Sequence, residues 1–241
     1  MKSEQRHQLK QNEFAATVGH VVQTVREDRR RIIGIVLAVV LVAGAIGAYF
    51  AWRQKGRNDA GALYASAVAV SQSAIAPAPT VPGATQAPGT FPSAKARSEA
   101  ALAAFQNVAQ TYPTSQDGLA AAYQAADALF ALGRLPDAEK AYADVAARAG
   151  TQSLYGASAR LGLAETLAAQ SHYDRAIKEY TDLAAQRDGI LPVDGILVAL
   201  ARTYAKAGKT ADARATFKRV VDEFPTSSYA NEARTQMALL G

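Results

Sequence analysis

Residues 126–145 read ADALFALGRLPDAEKAYADV, and their spacing returns at 164–183 (AETLAAQSHYDRAIKEYTDL) and at 201–220 (ARTYAKAGKTADARATFKRV). Take Ala138, Ala176 and Ala213 as anchors, 38 and 37 residues apart. Twelve residues before each anchor stands Ala126, Ala164 or Ala201, and nine before stands a large side chain, Leu129, Leu167 or Tyr204. Five before stands a small turn former, Gly133, Ser171 or Gly208. Four after comes an aromatic (Tyr142, Tyr180, Phe217) and seven after an aliphatic (Val145, Leu183, Val220). Twelve after, at Gly150, Asp188 and Pro225, the helical pattern ends.

Each position has a packing reason. The alanines fall where two antiparallel helices cross, and only a small side chain permits the approach. Gly or Ser turns the chain between helices. The aromatic fills the space between one hairpin and the next. A helix pair of this size cannot bury its apolar face alone, so pairs stack. An all-α hairpin solenoid over 94–241 follows, and 55 alanines among 241 residues agree with it.

The pattern extends beyond the three windows. Ala101, Phe105, Val108 and Pro113 match the second-helix positions at zero, four, seven and twelve. The partner helix is expected at 58–75, displaced by a proline-rich insertion. Tyr112-Pro113-Thr114-Ser115 and Phe224-Pro225-Thr226-Ser227 are near-copies in which Pro stops one helix and Thr or Ser caps the next. Residues 228–240 then cover the open end. The insertion, APAPTVPGATQAPGTFP at 76–92, holds five of the nine prolines; it cannot be helical and reads as an extended linker or long loop over 76–93.

Before the repeats, residues 32–52 (IIGIVLAVVLVAGAIGAYFAW) contain no charge. A helix of that length spans about 30 Å, the thickness of a hydrocarbon core. Tyr49 and Trp52 mark one end, flanked by Arg53, Lys55 and Arg57, and Arg29, Arg30 and Arg31 close the other. A cleaved signal peptide fits less well: a long tail precedes the run, and the run continues seven residues past the small-x-small site ending at Ala45. Basic residues place the 1–31 tail in the cytoplasm by a narrow margin and the C-terminal part across the membrane. Ala43, Gly47 and Ala51 put small residues on one face of the span, where another membrane helix can pack. In the tail, Phe14, Val18, Val21, Val22 and Val25 fall at the spacing of a short amphipathic helix.

Charge sorts the same way. The chain carries 26 Lys+Arg and 21 Asp+Glu, a net +5. Residues 1–57 hold ten basic and four acidic residues, +6, and 58–241 hold sixteen and seventeen, −1. The excess flanks the apolar run, which argues against nucleic-acid binding by the repeats.

These residues resemble tetratricopeptide repeats: small, large, Gly, Ala, aromatic, aliphatic, then Pro, in units a little longer than the usual length of about 34 residues. The whole layout, a basic tail, one span, an Ala-rich helix and then repeats, resembles the bacterial ancillary subunit of the SecYEG translocon. That resemblance implies an inner-membrane anchor and a periplasmic repeat domain. It also implies protein partners: the translocon channel and periplasmic chaperones, a membrane-anchored prolyl isomerase among them. The other envelope role open to such a layout is an adaptor in outer-membrane assembly or in cell-wall and division coordination.

In tetratricopeptide folds the first helices of each pair line a concave groove. Asp127, Glu165 and Arg202, eleven before each anchor, are charged in all three windows, and Tyr123, Phe130, Val198 and Lys206 are their neighbours. They are expected to form a partner groove with an acidic and a basic end. Nothing points to catalysis. With no Cys there is no thiolate chemistry, His7, His20 and His172 do not cluster, and no phosphate-loop, nucleophile-elbow or zinc-protease motif occurs. No cofactor, metal or small-molecule substrate is expected.

Overall fold

The structure, a computed structural model, describes residues 29–78, 85–150, 153–186 and 189–240. The tail valines and Phe14 lie outside these, as does Asp188. The chain divides into two units, 1–56 and 57–241.

Helix α1, Arg29–Ser71, crosses the boundary between the units without a break. The apolar run at 32–52 and most of the helix expected at 58–75 therefore lie in one helix, which ends at Ser71, and Arg53–Arg57 contains no proline to interrupt it. From Ile33 to Trp52 its apolar side chains are exposed, Leu41 and Trp52 at 73%.

In the second unit, the end of α1 buries Ala60 and Ala67 and packs Leu63, Tyr64 and Val68 against the first core cluster. Two-residue strands follow, β1 (Ala74–Ile75) and β2 (Thr90–Phe91), paired in parallel with Ala74 opposite Thr90. Then come α2 (Ala94–Thr111), α3 (Gln116–Ala131), α4 (Leu135–Ala149), α5 (Leu154–Ala169), α6 (Tyr173–Ala184), α7 (Val193–Lys206), α8 (Thr210–Glu223) and α9 (Ala230–Leu239).

The β1–β2 clasp bears on the second of the two readings of 76–93, a long loop rather than a linker. Gln86 Nε2 donates to Ala76 O at 2.9 Å and to Thr90 Oγ1 at 2.7 Å, so both ends of the insertion are tied together. The helices before and after it meet: Tyr64 and Phe105 stand 5.9 Å apart, ring to ring.

The repeat positions behave as their spacing dictates. Ala126, Ala138, Ala164, Ala176, Ala201 and Ala213 are completely buried. Tyr142, Tyr180 and Phe217 are buried beside Val145, Leu183 and Val220. The three turns are copies of one another. Gly133, Ser171 and Gly208 sit in the left-handed region at φ 73°, 61° and 74°. The next amide returns to the carbonyl of the large residue, at 2.9 Å in Arg134→Leu129, His172→Leu167 and Lys209→Tyr204, which closes each first helix.

Caps follow the sequence in part. Ser93, Ser115 and Ser153 each accept an amide at the start of α2, α3 and α5. In the second Pro-Thr-Ser copy, Ser227 accepts from the Tyr229 amide and donates to Asp194 at 2.6 Å, and α9 starts later, after Tyr229.

Candidate partner groove

Helices α3, α5 and α7 are the first helices of successive pairs, and the residues eleven before the anchors lie along them. Between α5 and α7 a cleft of about 280 Å³ is lined by Phe130, Glu165, Tyr180, Arg202, Thr203 and Lys206, with Ala168, Ala169 and Ala199 completing it. Four expected groove residues, Phe130, Glu165, Arg202 and Lys206, therefore meet in one place. Val198 does not join them. It is 1% exposed and belongs to the core cluster with Leu197, Phe217 and Ala233, because its helical phase faces α8 and α9.

Tyr123 and Asp127 belong to an aromatic–acidic cluster on α3. The Tyr142 hydroxyl donates to Asp127 Oδ1 at 2.5 Å. Tyr123 lies edge-on to Tyr142 at 6.0 Å between centroids and 6.1 Å from Tyr155. The ring of Tyr142 reaches this position because α5 has Gly162 opposite it. A Cβ there would stand 2.5 Å from Tyr142 Cε1 and Cζ. Gly118 and Gly156 serve a related purpose at the starts of α3 and α5, where the carbonyls of Tyr112 and Gly150 occupy the place of a Cβ.

The cluster is electrostatically uneasy. Loss of water pushes the Asp127 carboxyl up, and hydrogen bonds from Tyr142 and Tyr123 pull it part of the way back. Glu165 is pushed up by the same loss of water and then by the negative Asp127 nearby. Burial, followed by the charges of Asp127 and Glu165, raises Tyr123 to about 12. Tyr142 is raised by burial and by Asp127, and Tyr180 by burial and by Glu165. All three phenols therefore stay protonated as donors at any physiological pH.

The other end is basic. Arg202 Nε donates to Glu232 on α9 at 2.8 Å, which fixes its guanidinium at the rim. Lys206, one turn on, is exposed and makes no ion pair among the described residues. Among those residues no group of three or more His, Asp or Glu is placed to hold a metal. Cleft and cluster together carry hydrogen-bonding groups, two signs of charge and apolar side chains.

Sequence reasoning missed Tyr180, Thr203 and the small residues Ala168, Ala169 and Ala199 as cleft lining. Tyr180 stands at the packing-aromatic position, and its spacing carries no sign that it also reaches the cleft. The Tyr142–Asp127 bond had no signal either, since fifteen residues and a turn separate the two.

A family model for a tetratricopeptide repeat-like domain matches residues 28–188. The chain belongs to this tetratricopeptide repeat-like family. A tetratricopeptide repeat model also matches 161–228 and 198–240, so the repeats run to the end of α9. No curated protein matches the chain. Among solved structures, the tetratricopeptide-like repeats of a Podosopora anserina kinesin light chain superpose with a TM-score of 0.53 at 16% identity, covering 60% of this chain and 77% of that one. A singly substituted form of the same protein gives 0.52. At such identity the likeness is one of fold. Tetratricopeptide domains of this kind mediate protein–protein interaction, and that is what the repeats here provide.

Proposed function

We propose that the protein is a single-pass membrane scaffold whose repeats hold protein partners in the α3–α5–α7 groove. Its place is a bacterial inner membrane, with the 1–31 tail cytoplasmic and residues from 58 onward periplasmic. There it serves as an ancillary subunit of the Sec translocon and keeps periplasmic chaperones, a prolyl isomerase among them, near emerging chains. The Ala43–Gly47–Ala51 face of α1 is offered to another membrane helix.

The observation that carries this reading is where the family match begins. It starts at residue 28, beside the first residue of α1, and runs without interruption into the repeats. Apolar helix and repeats are thus matched as one unit. The helix itself supports a membrane: from Ile33 its mean hydropathy reaches 2.5 and none of that window is buried. Such a run of exposed Ile, Val and Leu would cost about 25 cal/mol for every Å² left in water.

The test is purification of the tagged full chain in mild detergent, with identification of what accompanies it. Recovery of the translocon channel with periplasmic chaperones is the expected result. Recovery of outer-membrane assembly or division proteins alone would overturn it in favour of another envelope adaptor.

A further inference from the structure

We infer that the cleft between α5 and α7 reads a protein segment of mixed charge: a Lys or Arg of the partner seats against Glu165, and an Asp or Glu of the same segment meets Lys206 and Arg202. This deepens the groove reading above and rests on it.

Charge complementarity across one open cleft points to this occupant. Glu165 and Lys206 both line the cleft, on opposite helices. Neither makes an ion pair among the described residues, so the chain leaves one charge of each sign unanswered in one cleft. Glu165 is exposed on the cleft wall and is repelled by the negative Asp127 nearby. A partner cation offsets that repulsion, whereas the tyrosine hydroxyls around Asp127 supply dipoles without charge. Lys206 is held beside an arginine that Glu232 has already fixed. The same lining includes the apolar Phe130, Ala168 and Ala199, which reward a small or aliphatic residue. At about 280 Å³ the cleft sits at the lower limit for enclosing a small ligand, roughly 300 Å³, and suits side chains carried by a larger partner. Neighbouring helices lie about 10 Å apart, so the partner's two charges stand about three residues apart on an extended segment or about seven on a helix.

The experiment uses the full chain in phosphatidylcholine nanodiscs and fluorescent peptides of one length, acetylated and amidated so that their ends carry no charge. One peptide carries Lys alone, one Glu alone, one neither, and two carry both at the two spacings. Binding is read by anisotropy. The expected result is that one mixed peptide binds at least tenfold more tightly than the neutral one. Glu165→Gln should then reduce it to the level of the Glu-only peptide, and Lys206→Gln to that of the Lys-only peptide. Equal binding of all peptides, or an equal loss for all of them in both variants, overturns the inference. Ala169→Trp, at an exposed position of the cleft wall, separates the two levels of reading. If it releases co-purifying partners while the peptides show no charge preference, the groove stands and the charge rule falls. If it releases nothing, both fall.

Discussion

Replacing Gly162 by Ala should destabilise the repeats, against the ordinary direction of such a change in a helix. Gly162 lies inside α5, and in an open helix the substitution gains about 1 kcal/mol. Here the added methyl would stand 2.5 Å from two ring atoms of Tyr142 and 3.0 Å from a third. The ring cannot swing away freely. It is 3% exposed, its hydroxyl is held by Asp127 at 2.5 Å, and Tyr123 lies against its edge. Overpacking costs about 1–3 kcal/mol, and weakening a hydrogen bond to a charged group costs about 1.5–3. Less the helix gain, the net loss is about 3 kcal/mol. At roughly 3 °C per kcal/mol for a unit of this size, Tm falls by roughly 10 °C. The assay is thermal and urea unfolding of four chains: parent, Gly162→Ala, Tyr142→Leu and the double variant. In the Tyr142→Leu background the obstacle is shorter, so Gly162→Ala should become neutral or stabilising by up to about 1 kcal/mol. A higher Tm for Gly162→Ala in the parent, or the same loss in both backgrounds, refutes the close approach as the cause.

Ser171→Gly should stabilise by about 1 kcal/mol, because Ser171 occupies at φ 61° the place where its two counterparts are glycine; the urea midpoint should rise with an unchanged slope. Glu165→Gln should raise Tm at pH 8 and lose that advantage by pH 4. The carboxyl is pushed up in the folded state, so the folded chain holds its proton more tightly, and ionisation costs stability above the ordinary carboxylate range and nothing below it. A Tm difference independent of pH would count against this. A reporter active only in the cytoplasm, fused after residue 241, should stay silent in cells, and activity would reverse the proposed orientation.

The stack was legible in the sequence because each repeat position obeys a local demand that one residue type meets. Ala138, Ala176 and Ala213 mark helix crossings, and all three are completely buried. Gly133, Ser171 and Gly208 mark turns, and all three are left-handed. The groove was legible by half, for a physical reason. Charge at the position eleven before the anchor placed Glu165 and Arg202 on the cleft, since a charged side chain avoids the core. Val198 was misplaced because a valine fits either face, and only its neighbours Phe217 and Ala233 decide which. The clasp around the proline-rich loop depends on Gln86 meeting Ala76 and Thr90, a pairing that no periodicity encodes.

Geometry and chemistry are written by different positions of the repeat. The alanines, turn residues and aromatics are nearly the same in each unit and build one scaffold three times over. The position eleven before the anchor changes from Asp127 to Glu165 to Arg202, and with it the charge at this position changes sign along the stack. Asp127 is answered by phenols from within the fold. Arg202 is answered by Glu232 from the terminal helix, which ties the capping segment α9 to the basic rim. Glu165, between them, makes no ion pair among the described residues, although Asp127 repels it and Lys206 lines the same cleft. None of the positions that build the stack requires a charge at 165, and Glu165→Gln measures what that charge costs the scaffold. If the cleft holds a mixed-charge segment as inferred above, its cation meets the charge that the stack leaves open at Glu165.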